Sequence, residues 1–277
     1  MTNERRQTLQ PLQGALAALG GDVAQAQVEV VEEIGSTNTA LLEHARATGD
    51  VRPRLLMAWR QTQGRGRSGR PWVGDAGASL TWSWGQVLQA GDASGLSLAV
   101  GAALAEALDP IHETQAPRLL LKWPNDLWIQ DPQAPFGGRK VGGVLIETTS
   151  VQGARWCVVG VGLNVRPLPA QATQDFSTGM AALQELDPAW EAPGALMRAA
   201  PAVAGALATF ERQGFAAFAS AYARRDLLYG RPVVTTGAEG LQGTACGVAA
   251  NGALQLRTPE GQLRSVVSGE VSVRPAA

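Results

Sequence analysis

Arginines and glycines are interleaved after Gln61: Gly64, Arg65, Gly66, Arg67, Gly69 and Arg70, followed by Trp72, with no acid before Asp75. Glycine lets backbone N–H groups converge on an anion, and arginine adds a planar fork of donors that fits carboxylate or phosphate. A loop of this kind suits a small, negatively charged, phosphorylated ligand, and it is expected to move until that ligand orders it. On these residues alone, a solvated basic loop and an Arg/Gly nucleic-acid tract are the alternatives. The chain carries 23 Lys+Arg against 24 Asp+Glu, a balance that disfavours polyanions as partners.

Other polar clusters stand at the ends of apolar runs. Ser36-Thr37-Asn38 separates a strand-like Val28–Ile34 from a helical pattern over Thr39–Thr48 that stops at Gly49. One of these residues serves as an N-cap; three in a row exceed that need and point to a ligand with both donors and acceptors. Lys122-Trp123-Pro124-Asn125-Asp126 closes a strand over Arg118–Trp123 and reads either as turn chemistry or as a site. Lys140 precedes the apolar Val141–Ile146, which contains Gly142 and Gly143. It is either a strand-end gatekeeper or a cation facing a ligand. Trp156–Val165 repeats the pattern with Gly160, Gly162 and Asn164.

The elements that hold these clusters follow from periodicity. Leu9–Leu19 reads as one short helix, with Pro11 in its first turn and Gly20-Gly21 as its stop. Leu55–Arg60 and Ser79–Trp84 are strands, and Trp82 and Trp84 share one face of the second. Gly95–Leu108, Thr178–Leu186 and Pro193–Arg225 are helical, the last broken near Pro201 and Gly214. Asp131–Gly138 is a hairpin connection. After Arg225 come five short strands with turns at Gly237, Asn251-Gly252 and Glu260-Gly261, a small β-barrel by its spacing.

At 277 residues, the chain has room for one large domain and a small one. It is 45% hydrophobic and 17% charged, and no apolar run reaches the ~20 residues of a membrane span. The polar Met1–Arg6 leads into no export signal, so a cytoplasmic location and no membrane contact are expected. Cys157 and Cys246 sit in apolar strands and are expected to be buried free thiols. Neither they nor His44 and His112 have metal-ligand spacing or a nucleophile–base arrangement.

Ser36-Thr37-Asn38, Gln61, Gly64–Arg67 with Gly69-Arg70 and Trp72, Lys122–Asp126, Lys140–Leu145 and Gly160–Val165 occur in the order seen in biotin protein ligases. The tail Ser268–Arg274 resembles that family's C-terminal barrel. The resemblance covers about residues 28–275. It implies an α+β fold: a mixed β-sheet flanked by helices, followed by an SH3-like β-barrel. The expected division is an N-terminal helical extension over 1–27, a catalytic domain over 28–227 and the barrel over 228–277. Fewer than 30 residues precede the first strand, so the winged helix-turn-helix of bifunctional members is not expected, nor is DNA binding.

The resemblance also implies the chemistry. Biotin and ATP, with Mg2+ on the nucleotide, form biotinyl-5′-adenylate; the biotinyl group then passes to a lysine of a biotin carboxyl carrier domain of acetyl-CoA carboxylase. By family match, Ser36, Thr37, Asn38, Gln61, Arg65, Gly66, Arg67, Lys140, Gly143 and Gly160 line the biotin site. Arg65, Trp72, Lys122, Asn125, Lys140, Asn164 and Arg274 are assigned to the nucleotide. Arg65, Arg67, Lys140 and Asp126 carry the catalytic roles; Asp126 either orients Lys140 or meets a magnesium-bound phosphate, and no protein metal ligand is assigned. A monomer or weak homodimer is expected. A lipoate-protein ligase shares the fold and adenylation logic, but its apolar acid pocket has no need of Ser36-Thr37-Asn38. A non-catalytic ligand-binding module is the rival from another class.

Overall fold

The computed structural model describes residues 3–72, 74–112, 116–168, 179–236, 240–267 and 273–275. Its centre is a seven-stranded sheet built from β1 (Gln27–Ile34), β2 (Arg54–Gln61), β3 (Ser79–Val87), β4 (Leu119–Lys122), β5 (Asp126–Gln130), β6 (Gly138–Val151) and β7 (Ala154–Asn164). The strand order is β1-β2-β3-β7-β6-β5-β4, with β1 parallel to β2 and every other pair antiparallel. It is the expected mixed sheet.

Alternation along β3 divides the two faces. Leu80, Trp82 and Trp84 are fully buried on one side and join Val159, Val161 and Leu163 of β7 in the main core. Helices α3 (Leu96–Leu108) and α4 (Ala192–Gln213) pack together over this side. Ser79, Thr81 and Ser83 project to the other side, opposite Asn164, Gly162 and Gly160 in the ladder. There α2 (Thr37–Thr48) covers only one end, through Leu41, Leu42 and Ala45 against Leu56, Trp156 and Val158. The other end of this face is polar and glycine-rich.

Several expectations are corrected. Helix α1 spans Asn3–Ala17, so Pro11 lies in its interior and not in its first turn. Helix α4 runs through Pro201 without a break. Proline there removes one backbone hydrogen bond; Ala199, Ala200, Val203 and Ala204 are all fully buried around it, and their packing holds the helix together. The pattern does stop at Gly214, where a 3-10 turn (Gly214–Phe218) leads into the short α5 (Ala219–Ala223). Of the helix expected over 178–186, only a single 3-10 turn, Leu183–Glu185, is present; Thr178 lies outside the described residues. Cys157 is buried as expected, whereas Cys246 is only half-buried.

The C-terminal strands β8 (Pro232–Thr235), β9 (Gln242–Val248), β10 (Leu254–Arg257), β11 (Leu263–Val266) and β12 (Val273–Pro275) form an antiparallel sheet in the order β11-β10-β9-β8-β12. This antiparallel unit is the expected SH3-like C-terminal part; among the described residues no hydrogen-bonded ladder joins β11 to β12. Gly237 and Ser268–Ser272 lie outside the described residues.

The small sheet shares the main core: Val233, Ala245, Leu254, Leu256 and Val266 belong to the same hydrophobic cluster as Trp82 and α3. Its β9–β10 turn docks closely. Trp123 Nε1 donates to Gly252 O at 3.0 Å, and a Cβ on Gly252 would lie 2.6 Å from Gly95 Cα. Gly252 has φ 76°, so this turn needs glycine for both its conformation and its contact. At the junction, the fully buried Arg225 donates to Asp109 Oδ2 at 3.0 Å and Leu119 O at 2.9 Å.

Candidate functional site

The site is assembled on the glycine-rich face from four directions. The sheet supplies the floor. Gly143 of β6 pairs with Gly162, and Gly162 pairs with Thr81. Gly160 is the next residue on that face and pairs with Ser83. A Cβ on Gly160 would lie 2.3 Å from Asn38 Oδ1, and one on Gly162 would lie 2.6 Å from the Trp72 indole. These glycines make space into which neighbouring side chains are already fitted.

The start of α2 enters from one side. Ser36 is the N-cap, its hydroxyl accepting from Thr39 N at 3.5 Å, and Ser36, Thr37 and Asn38 are all buried. Thr37 N and Thr37 Oγ1 donate to Gln61 Oε1 at 2.7 and 3.1 Å. Ser83 Oγ lies 2.7 Å from Thr37 Oγ1 and 2.6 Å from Asn38 Oδ1. Asn38 Nδ2 donates to Leu145 O at 3.3 Å and to Glu147 Oε2 at 2.9 Å. The Asn38 amide is thus committed to protein partners at both ends, and Thr37 and Gln61 act as one unit.

The Arg/Gly loop enters from above and folds back on itself. Trp72 N donates to Gly64 O at 2.9 Å and Gly66 N to Arg70 O at 2.7 Å, with Arg67–Gly69 as a 3-10 turn between them. Of the loop glycines, Gly69 takes the left-handed conformation (φ 70°), and Ser68 takes it too (φ 54°). Gly64 serves close approach instead, since a Cβ there would meet Trp72 O at 2.7 Å. The loop brings Arg65 to 3.5 Å from Glu147 Oε1 and lets Arg67 Nη1 donate to Asn125 Oδ1 at 3.2 Å. Desolvation lowers the Arg67 pKa from its ordinary value, the charge of Asp126 opposes this, and Arg70 reinforces it. An arginine so shifted remains charged at neutral pH.

The β4–β5 hairpin closes the far side. Lys122 and Asp126 pair across its turn. Lys140 Nζ donates to Asp126 Oδ1 at 2.6 Å; a Cβ on Gly143 would sit 3.3 Å from that oxygen and 3.6 Å from the ammonium. Asn125 Nδ2 donates to Val144 O at 2.8 Å, fixing the amide that receives Arg67. The Lys122 ammonium lies 5.5 Å from the Trp128 ring centroid, on the edge strand.

Most of the residues singled out in the sequence therefore meet on one face. Ser36, Thr37, Asn38, Gln61 and Gly160 form one cluster, and Arg67, Asn125, Asp126, Lys140 and Gly143 another. Gly66 and Arg65 lie between them on the loop. Trp72 stacks on Gly162, and Asn164 follows on β7, its Nδ2 donating to Ala181 O at 3.2 Å. Trp72 Nε1 and Asn164 Oδ1 are buried donor and acceptor groups with no partner among the described residues, on the same side of the sheet. Arg274 lies in β12 opposite Val234; its side chain is outside the described residues. Asp126 accepts a hydrogen bond from Lys140 Nζ. Ser83 and Glu147 went unnoticed in the sequence. The signal for Ser83 was present: Ser79, Thr81 and Ser83 repeat at a period of two opposite Leu80, Trp82 and Trp84. No cluster of three or more His, Cys, Asp or Glu side chains that could hold a metal ion occurs among the described residues.

Residues 30–164 match the model of the biotin/lipoate A/B protein ligase family, and residues 230–274 match that of the biotin protein ligase C-terminal domain. The bifunctional ligase/repressor BirA of Escherichia coli is 32% identical over 262 residues, covering 92% of this chain and 77% of BirA. A biotin–[acetyl-CoA-carboxylase] ligase of Mycobacterium tuberculosis is 36% identical over 174 residues, 58% of this chain and 57% of its own length. The structure of the Aquifex aeolicus biotin protein ligase in complex with biotin and ATP superposes with a TM-score of 0.73 at 27% identity, covering 90% of this chain and 99% of that one. These matches, together with the shared fold, place the chain in the biotin protein ligase family.

Proposed function

We infer that this protein, an ATP-dependent biotin–protein ligase by its family, activates biotin as biotinyl-5′-adenylate and transfers the biotinyl group to one lysine of the carrier domain of acetyl-CoA carboxylase. A biotin carboxylate oxygen attacks the α-phosphorus and pyrophosphate leaves. The carrier's lysine amine then attacks the activated carbonyl carbon and AMP leaves. No enzyme nucleophile is needed, because the anhydride is already activated.

The first step brings two anions together. Unit charges ~4 Å apart at an effective dielectric of ~20 repel by ~4 kcal/mol. Arg65, Arg67 and Lys140 offset that repulsion by bridging carboxylate and phosphoryl oxygens, and Asp126 orients Lys140. Thr37 and Gln61, held together at 2.7 Å, receive the ureido group beside Gly160. Trp72 and Asn164 receive the nucleotide, whose Mg2+ arrives with it. The observation that carries this reading is the placement of Arg67 and Lys140 on consecutive residues of one turn, Asn125 and Asp126, at the rim of the glycine floor.

The C-terminal match is to a biotin protein ligase domain, which favours biotin over lipoate. The test is incubation of the protein with biotin, ATP, Mg2+ and a carrier domain, followed by mass measurement of the carrier. A gain of one biotinyl group is expected. An unmodified carrier, with no pyrophosphate released, overturns the reading. We also propose a cytoplasmic location and a monomer or weak homodimer; among the described residues, no helix is long and apolar enough to cross a membrane.

A further inference from the structure

Among the described residues, Glu147 is the one carboxylate that touches both the start of α2 and the cationic loop. Its Oε2 accepts from Asn38 Nδ2 at 2.9 Å, and its Oε1 lies 3.5 Å from Arg65 Nη2. The neighbouring Leu145 O accepts from the same Asn38 amide at 3.3 Å, and Ser83 Oγ meets the other end of that amide at 2.6 Å. Asn38 is therefore locked, and Glu147 is anchored through it to the helix that carries Thr37. Arg65 is different: its side chain is 51% exposed, against 22% for Glu147, and it belongs to a loop held mainly by its own backbone hydrogen bonds. A fixed carboxylate facing an exposed guanidinium sets where the guanidinium rests, and an arginine–carboxylate contact is directional.

We propose that Glu147 is a positioning residue that ties the loop to the acid-binding end of the site, by holding Arg65 over the glycine floor from an anchor shared with Asn38. The inference rests on the proposed function, because the acid concerned is biotin. Biotin that engages the Thr37–Gln61 pair steadies the start of α2, Asn38 transmits that order to Glu147, and Glu147 holds Arg65 where the substrate carboxylate needs a counter-charge. Loop ordering thereby depends on biotin rather than on nucleotide alone.

The test uses full-length protein and Glu147→Ala and Glu147→Gln variants, with pyrophosphate release measured while biotin and ATP are titrated separately. Glu147→Ala is expected to raise KM for biotin about tenfold and to leave KM for ATP within about twofold. It should also abolish the protection of residues 61–72 from limited proteolysis by biotin. Glu147→Gln keeps an acceptor for Asn38 but removes the charge facing Arg65. It should melt with the parent protein and still show the raised KM for biotin, so it decides the matter where the alanine variant does not fold. A folded variant with the parent's KM for biotin and the parent's loop protection overturns the proposal. Parent protein that releases no pyrophosphate overturns the proposed function itself, a different outcome from an active parent with unaffected variants.

Discussion

Lys140 Nζ and Asp126 Oδ1 are 2.6 Å apart, joined across the β5–β6 ladder, in which Asp126 pairs with Gly143 and Lys140 with Trp128. The Lys140 side chain is 26% exposed and that of Asp126 17%, so the pair is partly shielded but open to a ligand on one side. A cation so placed is fixed before substrate arrives. Lys140→Ala is expected to lower adenylation by about 100-fold or more, the scale of removing one preorganised transition-state donor. The melting temperature should change little, since no core contact is lost. Pyrophosphate release and a thermal melt on the same preparation check both halves. Parent-like pyrophosphate release would remove Lys140 from the catalytic set.

The glycine floor separates two effects that usually travel together. Gly160→Ala places a methyl 2.3 Å from Asn38 Oδ1, and Gly162→Ala places one 2.6 Å from the Trp72 ring. The first should weaken biotin by about tenfold with a smaller effect on nucleotide; the second should do the reverse. Calorimetric titration with biotin, and with ATP in a separate experiment, reads each. Equal effects of both substitutions on both ligands would contradict the division of the floor.

Asp226 predicts a pH dependence. Its Oδ1 accepts from Leu228 N at 2.9 Å, but its Oδ2 is buried without a partner among the described residues. Burial raises its pKa from 3.8 to about 6, partly opposed by the backbone N–H groups of Leu228 and Tyr229. The folded protein therefore holds this proton more tightly than the unfolded chain does. The associated stability is fully present below pH 3.8 and is lost as pH rises through about 6. Asp226→Asn removes the charge that is penalised above that range. It should stabilise the protein at pH 8 by up to about 3 kcal/mol, with the gain shrinking as pH falls towards 5. Chemical denaturation of both proteins across pH 5–8 measures this.

The link between the two sheets has its own test. Trp123→Phe keeps most of the buried ring but removes the Nε1–H that donates to Gly252 O at 3.0 Å. The carbonyl then lacks its donor, and a loss of about 1–3 kcal/mol is expected. Trp123 is followed by Pro124, Asn125 and Asp126, so adenylation should fall as well. A denaturation midpoint unchanged from the parent counts against the contact.

Much of the site was legible because its chemistry is concentrated in short stretches. Ser36-Thr37-Asn38, the Arg/Gly loop, Lys122–Asp126 and the paired glycines of β6 and β7 are each local, and each marks a strand or helix end. What stayed hidden depends on distance along the chain. Glu147 is an ordinary strand residue until β6 brings it beside Asn38, 109 residues away. Asn38 looked like a ligand contact, yet its amide is spent on Leu145, Glu147 and Ser83. The partnership of Trp123 with Gly252 spans 129 residues and leaves no periodic trace. Pro201 misled for the opposite reason: a strong local rule was overridden by the buried alanines around it.

Strand β3 carries Leu80, Trp82 and Trp84 into the core and Ser79, Thr81 and Ser83 towards the glycine floor. Odd and even positions of this ribbon answer to different physical demands. A library randomised at 79, 81 and 83 alone varies the polar face of the candidate site while the hydrophobic foundation stays untouched. Shifting the register by one residue would exchange the two roles at once, so insertions in β3 should be far less tolerated than substitutions there.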